Sequence, residues 1–195
     1  VEDLEHLKVD ILANRGLSQL LDIDSKTKLY EYPEIDKATS SLLSRGDVLG
    51  VTQGESPAMR RLFRAIRPQS MKDCVFATAL IRPVALQGRR KAAFFNDWTS
   101  DRVSDVVVCE DDAIVQIAKL IGCDYYEADM YRRAFAKKNE ERVMEFMTRL
   151  GDHPRKDEIF STLQELSGFG LCRAHAVNLG RVIWALAYQK AHNIK

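Results

Sequence analysis

The chain has 195 residues, and its 29 basic and 28 acidic side chains leave a formal net charge of +1 at pH 7. This near-neutral total argues against a uniformly basic nucleic-acid binder and against an acidic tail. No apolar run approaches the roughly 20 residues needed to span a bilayer, and no signal segment begins the chain. We therefore expect a folded cytoplasmic domain with no membrane partner, cut from a larger protein.

The neutral total conceals one strongly basic segment. Residues 56–91 hold nine basic side chains and one acidic side chain, a net charge of +8, whereas residues 1–55 carry −5 and residues 92–195 carry −2. The four cysteines show neither CxxC pairing nor a histidine at zinc-finger spacing, which indicates reduced thiols. The basic segment is the first candidate for contact with a polyanion.

Hydrophobic periodicity and capping residues predict a mainly helical chain. A strand is predicted over residues 4–9, extended chain over 48–52 and a second strand over 99–109. Gly168-Phe169-Gly170 predicts a tight turn before a long, buried final helix. Helices are predicted, in chain order, over residues 10–21, 36–44, 56–67, 71–81, 87–98, 111–121, 127–136, 140–150, 156–166 and 172–191.

The helix predicted over residues 56–67 is the clearest amphipathic element. Ser56 suits its N-cap and Pro57 its first helical position. One side is apolar, and the other carries four arginines, with no Asp or Glu in the helix to pair with them: Arg60, Arg61, Arg64 and Arg67. These arginines are either a solvated face paired with neighbouring segments or a contact surface for a phosphate backbone.

Two further clusters carry cations. Arg132, Arg133, Lys137 and Lys138 follow Asp129, which can pair with either arginine, but the four cations could equally hold a triphosphate. Arg173 and His175 lie in the first turn of the final helix, where free N–H groups attract anions, although a packing turn is the simpler interpretation. Asp10 ends the first strand as a helix N-cap, or as a metal ligand if other carboxylates join it.

These segments, in this order, resemble the C-family bacterial DNA polymerases of the DNA polymerase III alpha type. The resemblance covers nearly the whole chain, and no single motif carries it alone. The matching motifs are Lys8-Val9-Asp10-Ile11-Leu12, Val51 to Ser56 with Met59-Arg60, Arg82-Pro83-Val84-Ala85, Val115-Gln116-Ile117-Ala118, Ala128 to Lys138, Gly168 to His175 and Lys190-Ala191-His192.

The resemblance implies a role for each matched position. In that family two palm aspartates and a third aspartate hold two Mg²⁺ ions, and the third corresponds to Asp10, which is then catalytic and metal-binding. The cations implied to bind the phosphates of the incoming dNTP are Lys8, Arg82, Arg132, Arg133, Lys137, Lys138, Arg173 and His175. The cations implied to bind DNA are Arg60, Arg61, Arg64, Arg67, Arg89, Arg90 and Lys91.

The chain also departs from the family pattern. The palm aspartate pair precedes the matched region, so we expect this fragment alone to be inactive and to bind no Mg²⁺ tightly. The family's Arg-Pro-Gly-Pro is Arg-Pro-Val-Ala here, and Cys172 and Ala174 replace an Asn and a Ser. The acidic run of residues 110–112 would repel a triphosphate if it faced the same site.

The prediction is a mainly α fold, with the end of a palm (strand plus helix) over residues 1–25 and a helical fingers domain over residues 26–195. The function implied is part of a DNA-directed DNA polymerase, a nucleotidyltransferase of replication or repair synthesis. Its expected partners are primer-template DNA, dNTP, the palm and thumb, and a sliding clamp contacted outside this chain. The alternatives are a catalytically impaired DNA-binding relative and a helical protein-interaction module whose arginines only form ion pairs.

Overall fold

The computed structural model describes residues 14–81, 109–169 and 171–194, without the side chains of 165–169. Within these ranges the chain is mainly helical, as predicted, and an isolated parallel bridge joins Cys109 to Leu171. The strand predicted over 4–9 and the helix over 87–98 lie outside the described residues. The helices are α1 (Arg15–Ile23), α2 (Lys37–Arg45), α3 (Pro57–Ile66), α4 (Met71–Leu80), α5 (Glu110–Ile121), α6 (Tyr125–Lys137), α7 (Glu140–Leu150), α8 (Lys156–Phe169) and α9 (Arg173–Ala191).

The start and end of α3 follow from its sequence. The Ser56 hydroxyl accepts the N–H of Met59 at 3.2 Å, and Pro57 occupies the first helical position. The four apolar residues at helical spacing, Met59, Leu62, Phe63 and Ile66, are all buried. The helix ends at Ile66 because Arg67 turns into the left-handed region ahead of Pro68. The predicted amphipathic helix is confirmed.

Two local predictions were wrong. Residues 48–52 form turns rather than extended chain: the N–H of Val51 donates to the carbonyl of Val48 at 3.0 Å, and the N–H of Gly54 donates to that of Val51 at 2.9 Å. Both valines are buried, so this apolar segment is a turn that faces the core. Gly168 continues α8 instead of opening a turn, because one helical glycine costs only about 1 kcal/mol.

The helices enclose two hydrophobic cores. The first core lies between α1, α2, α3, α4 and α9, and the second lies between α5, α6, α7 and α8. The bridge between Cys109 and Leu171 links them, since Cys109 precedes α5 while Leu171 precedes α9. The helices of the first core therefore carry Arg173 and His175 and the arginines of α3, whereas α6 belongs to the second core.

Helix α9 crosses the first core at close range. Its residues 182–187 are all buried, which confirms the predicted buried final helix. Gly180 allows the closest approach, because a Cβ built there would lie 2.4 Å from the Cα of Val75 on α4. The Oγ1 of Thr78 donates to the carbonyl of Ala176 at 3.0 Å across the same contact. The indole N–H of Trp184 donates to the carbonyl of Pro33 at 2.7 Å.

The four cysteines are free thiols. Burial, followed by the nearby Asp112 carboxylate, raises the pKa of Cys109 to about 11. That thiol therefore stays protonated at neutral pH.

None of the helices within the described ranges is both long and apolar enough to cross a membrane.

Candidate functional site

The arginines of α3 are anchored through their inner nitrogens. The Nε of Arg60 donates to the carbonyl of Gly46 at 3.0 Å, and the Nε of Arg64 donates to the carbonyl of Arg45 at 3.0 Å. These carbonyls end α2, where the helix dipole favours positive charge. The contact is tight, since a Cβ at Gly46 would lie 2.8 Å from the Nε of Arg64. Two arginines therefore hold α3 against the end of α2.

The outer ends of the same guanidinium groups have no protein partner in the described part of the chain. Arg61 uses only its Nε, which donates to the carbonyl of Pro57 at 3.2 Å, and Arg67 makes no side-chain hydrogen bond there. No carboxylate of the described residues pairs with any of the four, so the pairing with acidic residues of neighbouring segments, which the sequence left open, is not found within the described ranges. Arg45 is exposed beside them. We call Arg45, Arg60, Arg61, Arg64 and Arg67 the arginine face.

Two of the predicted anion-binding cations adopt left-handed backbone conformations. Arg67 follows α3 with φ of 47°, and Lys138 follows α6 with φ of 55°. Glycine is the residue that usually takes this position, because a Cβ makes the left-handed region cost about 1–2 kcal/mol. Both side chains are exposed and have no ion pair within the described ranges. At both residues this conformation closes a helix, since the N–H of Arg67 donates to the carbonyl of Phe63 and that of Lys138 to the carbonyl of Phe135.

The second cluster of cations lies where α6 meets the start of α5. The Nε of Arg132 donates to Asp129 at 2.7 Å, and its Nη1 donates to Glu110 at 3.3 Å. The Nε of Arg133 donates to the other oxygen of Asp129, also at 2.7 Å. Asp129 thus pairs with both arginines, where the sequence had offered either one. The Arg132 side chain is only 15% exposed, whereas that of Arg133 is 65% exposed.

The first turn of α9 contacts the same end of α5. The guanidinium of Arg173 forms an ion pair with Asp112, and its backbone N–H donates to Asp111 at 2.6 Å. His175 is exposed beside it. Arg132 and Arg173 therefore both contact the acidic first turn of α5, from α6 and from α9. The acidic run therefore faces these cations, which is the arrangement in which it was expected to repel a triphosphate.

The pKa of Asp129 reflects this arrangement. Its partial burial raises the pKa, but hydrogen bonds and charges from Arg132 and Arg133 outweigh burial, so the pKa lies below its usual value of 3.8. A carboxyl group whose pKa is lowered on folding stabilises the fold above its unfolded pKa. This contribution is lost as the pH falls through the lower folded value.

Asp129→Asn should therefore reduce the free energy of unfolding at pH 7 by about 1–2 kcal/mol, because two arginines lose a charged acceptor. The difference from wild type should shrink as the pH falls below 3.8. Urea unfolding between pH 3 and pH 7 measures it. Asp22→Asn is the control, since Asp22 is exposed on α1 without a partner in the described residues. Parallel pH profiles for wild type and Asp129→Asn would contradict the assignment.

Several predicted site residues lie outside the described ranges. They are Lys8, Asp10, Arg82, Arg89, Arg90 and Lys91. The described residues contain no group of three or more His, Cys, Asp or Glu side chains arranged to hold a metal ion. A magnesium site is thus not built from them, and the metal role of Asp10 stays a prediction.

Comparison with known proteins decides the family. The bacterial DNA polymerase III alpha subunit finger domain matches residues 15–157, which is most of the chain. The chain belongs to this finger-domain family. The match includes the whole arginine face and the α5–α6 junction, and it confirms the resemblance that the ordered motifs carried.

Curated relatives agree with this assignment. The chain is 28% identical over 98% of its length to the DNA polymerase III subunit alpha of Bacillus subtilis (strain 168). It is 27% identical over its full length to the DNA polymerase III subunit alpha of Thermotoga maritima. It is 29% identical over 98% of its length to the error-prone DNA polymerase of Symbiobacterium thermophilum. The chain spans only 20–24% of the length of these relatives.

Sequence reasoning missed three features of this finger domain. Arg45 joins the arginine face from another helix, and only the packing of α3 on α2 brings it there. Tyr125 and Tyr126 are both exposed at the start of α6. The sequence did contain a sign that α6 begins earlier and includes both tyrosines, because Asp124, three residues before the predicted start, caps the helix: its Oδ1 accepts the N–H of Glu127 at 2.8 Å.

Proposed function

We propose that this finger domain serves template-directed nucleotidyl transfer by the polymerase that carries it, and that the arginine face binds the phosphate backbone of primer-template DNA. The observation that carries the proposal is the outward set of guanidinium nitrogens without a carboxylate partner among the described residues. Phosphate contacts of this kind supply most of the sequence-independent affinity for DNA. Arg60 and Arg64 are held in place by carbonyls, so they present their outer nitrogens with little loss of side-chain entropy.

For the incoming nucleotide we propose the junction of α5, α6 and α9. Arg132, Arg173 and His175 would contact the phosphates there, together with Lys8 and Arg82. Their carboxylate partners support such a role by holding two arginines in fixed positions at one helix end. A triphosphate would have to exchange with Glu110 and Asp112. Asp10 would contribute one carboxylate to Mg²⁺ alongside carboxylates outside this chain.

The arginine face also argues against a pure protein-interaction module. In such a module the arginines of α3 would be matched by acidic side chains of the same fold. Elsewhere in the described chain arginines are matched in this way: Arg155 pairs with Glu158 at 2.7 Å and Arg142 with Glu145 at 3.7 Å. The arginines of α3 lack such partners within the described ranges.

Salt-dependent DNA binding tests the proposal. We expect Arg61→Ala and Arg67→Gly each to make the slope of log K against log [KCl] shallower by about 0.9 for a primer-template duplex, as the loss of one phosphate contact does. Fluorescence anisotropy at several salt concentrations measures the slope. Arg67→Gly should also raise the free energy of unfolding by up to about 1 kcal/mol, because glycine relieves the left-handed backbone.

Arg142→Ala and Arg155→Ala are matched controls, since each removes one exposed positive charge from a paired site. Their slopes should stay at the wild-type value. If the control variants flattened the salt dependence as much as the arginine-face variants do, the effect would come from net charge and not from contacts made by the arginine face. An absent or salt-independent signal would overturn the DNA-binding proposal.

A further inference from the structure

Two neighbouring tyrosines at the start of α6 expose their rings. Tyr125 is 66% exposed and Tyr126 is 79% exposed. Neither ring contacts another aromatic ring or a cation within the described residues, and neither hydroxyl has a hydrogen-bond partner there. Tyr32 and Tyr131, by contrast, are buried in the two cores. A large apolar ring left in water without a partner is available for contact with another molecule.

Tyr126 begins a continuous stripe along the outward side of α6. Residues 126, 130, 133 and 137 follow one another at intervals of four, three and four, so they lie within about 60° on the helix surface and span about 16 Å. The buried side of α6 is formed by Ala128, Tyr131, Ala134 and Phe135. The outward stripe therefore has an aromatic ring at its start, Met130 between, and the cations Arg133 and Lys137 at its end.

The charges along this stripe favour an anionic partner. Arg133 bonds Asp129 only through its Nε, which leaves its outer nitrogens without a partner in the described chain. Lys137 is exposed and has no ion pair there. The neighbouring acidic groups are engaged, since Asp124 caps α6 and Glu127 pairs with Arg149. Arg133 shares Asp129 with Arg132, and Lys137 has no acidic partner in the described chain, so this end of the stripe keeps an excess of positive charge.

We propose that the outward stripe of α6 binds single-stranded DNA, with one base stacked on Tyr126 beside Tyr125 and the phosphates of the following nucleotides on Arg133 and Lys137. Aromatic rings interleaved with cations are the usual means of holding single strands, because every base has a face that can stack and every linkage carries a charge. This proposal rests on the proposed function, in which the strand is the unpaired template. It assigns Arg133 and Lys137 to that strand rather than to the incoming nucleotide.

The test compares single-stranded and duplex DNA. With a fluorescein-labelled 12-nucleotide oligo(dT), Tyr125→Ala with Tyr126→Ala should weaken binding at least about tenfold, the loss of one stacked base. The salt slope should stay at the wild-type value, because stacking releases no counterions. Tyr126→Phe should bind as wild type does. Arg133→Ala with Lys137→Ala should weaken binding and also make the slope shallower.

The chain supplies a matched control in Tyr30, which is 67% exposed in the segment between α1 and α2, with its ring centroid 5.7 Å from the ammonium of Lys28. Tyr30→Ala should leave oligo(dT) binding unchanged. Equal losses in Tyr30→Ala and in the double variant would overturn the proposal, as would a double variant that binds oligo(dT) with wild-type affinity. A change of sedimentation coefficient in the double variant, without a change in DNA affinity, would show instead that a second copy of the chain covers the stripe.

The two proposals fail separately. A blunt 12-base-pair duplex has no unpaired bases to stack, so the tyrosine variants should bind it as the wild type does, whereas Arg61→Ala and Arg67→Gly should weaken binding to it. Loss of duplex binding in the arginine variants together with unchanged oligo(dT) binding in the tyrosine variants would overturn the stripe proposal alone. The reverse pattern would overturn the arginine face alone.

Discussion

Gly180→Ala should reduce the free energy of unfolding by about 3 kcal/mol, because the first core has no room for a methyl group at that point. The added Cβ would lie 2.4 Å from the Cα and 2.7 Å from the N of Val75, so backbone rather than a flexible side chain must move. Separating α9 from α4 would also stretch the hydrogen bond from Thr78 to the carbonyl of Ala176. Urea unfolding followed by circular dichroism measures the loss.

Asn178→Ala is the matched control on the same helix. Asn178 is exposed, so the same new residue should there leave the stability equal or slightly higher, since alanine has the better helix propensity. Val75→Ala combined with Gly180→Ala should recover only part of the loss, because the contacts with the Val75 backbone remain. Equal stability of Gly180→Ala and wild type would show that α9 and α4 do not pack this closely.

Trp184→Ala should cost about 3–5 kcal/mol, the range for removing a large buried aromatic side chain. Trp184 is fully buried in the first core, and its N–H is bonded to the carbonyl of Pro33 at 2.7 Å. The substitution would leave a cavity beside α4 and release the segment that leads into α2. The urea midpoint measures the change, provided that the slope of the transition stays constant.

Trp184→Phe separates the two causes. Phenylalanine keeps most of the ring volume and loses the hydrogen bond, so we expect a cost of about 1–2 kcal/mol. If both variants lost the same stability, the hydrogen bond to Pro33 would carry the effect rather than the volume of the side chain. Because α3 and α9 share this core, a severe loss should also weaken DNA binding by the arginine face.

The local elements that the sequence predicted best are those with complete local patterns. Helix α3 has an N-cap at Ser56, a proline at its first position, an apolar stripe and a proline beyond its end, so it formed as expected. The turn at residues 48–52 was missed because most of its residues are apolar or β-branched and favour strands, although its two buried valines, Val48 and Val51, lie three residues apart. An apolar pattern indicates which side chains are buried but not the backbone conformation, because a turn that faces a core can bury apolar side chains as a strand does.

The candidate site could also be predicted in part, because some of its ion pairs follow from a complete local pattern within one helix. Asp129, Arg132 and Arg133 pair within one helix at i, i+3 and i, i+4, which sequence spacing can specify. The partners across longer intervals were not: Glu110 is 22 residues from Arg132, and Asp112 is 61 residues from Arg173. From sequence alone the acidic run was expected to repel a triphosphate if it faced the same site, and only folding shows that it lies against those cations.

The sequence by itself determined the family, the helical class and the basic segment, because ordered motifs, apolar periodicity and charge are properties of the chain. Only the tertiary structure decided which cations are free. It pairs Arg132 and Arg173 with carboxylates, leaves the outer nitrogens of Arg60, Arg61, Arg64 and Arg67 without partners in the described chain, and exposes Tyr125 and Tyr126. The physical reason is that ion pairs and ring exposure depend on which helices pack together. That packing is set by the two hydrophobic cores, whose contacts join residues far apart in the sequence.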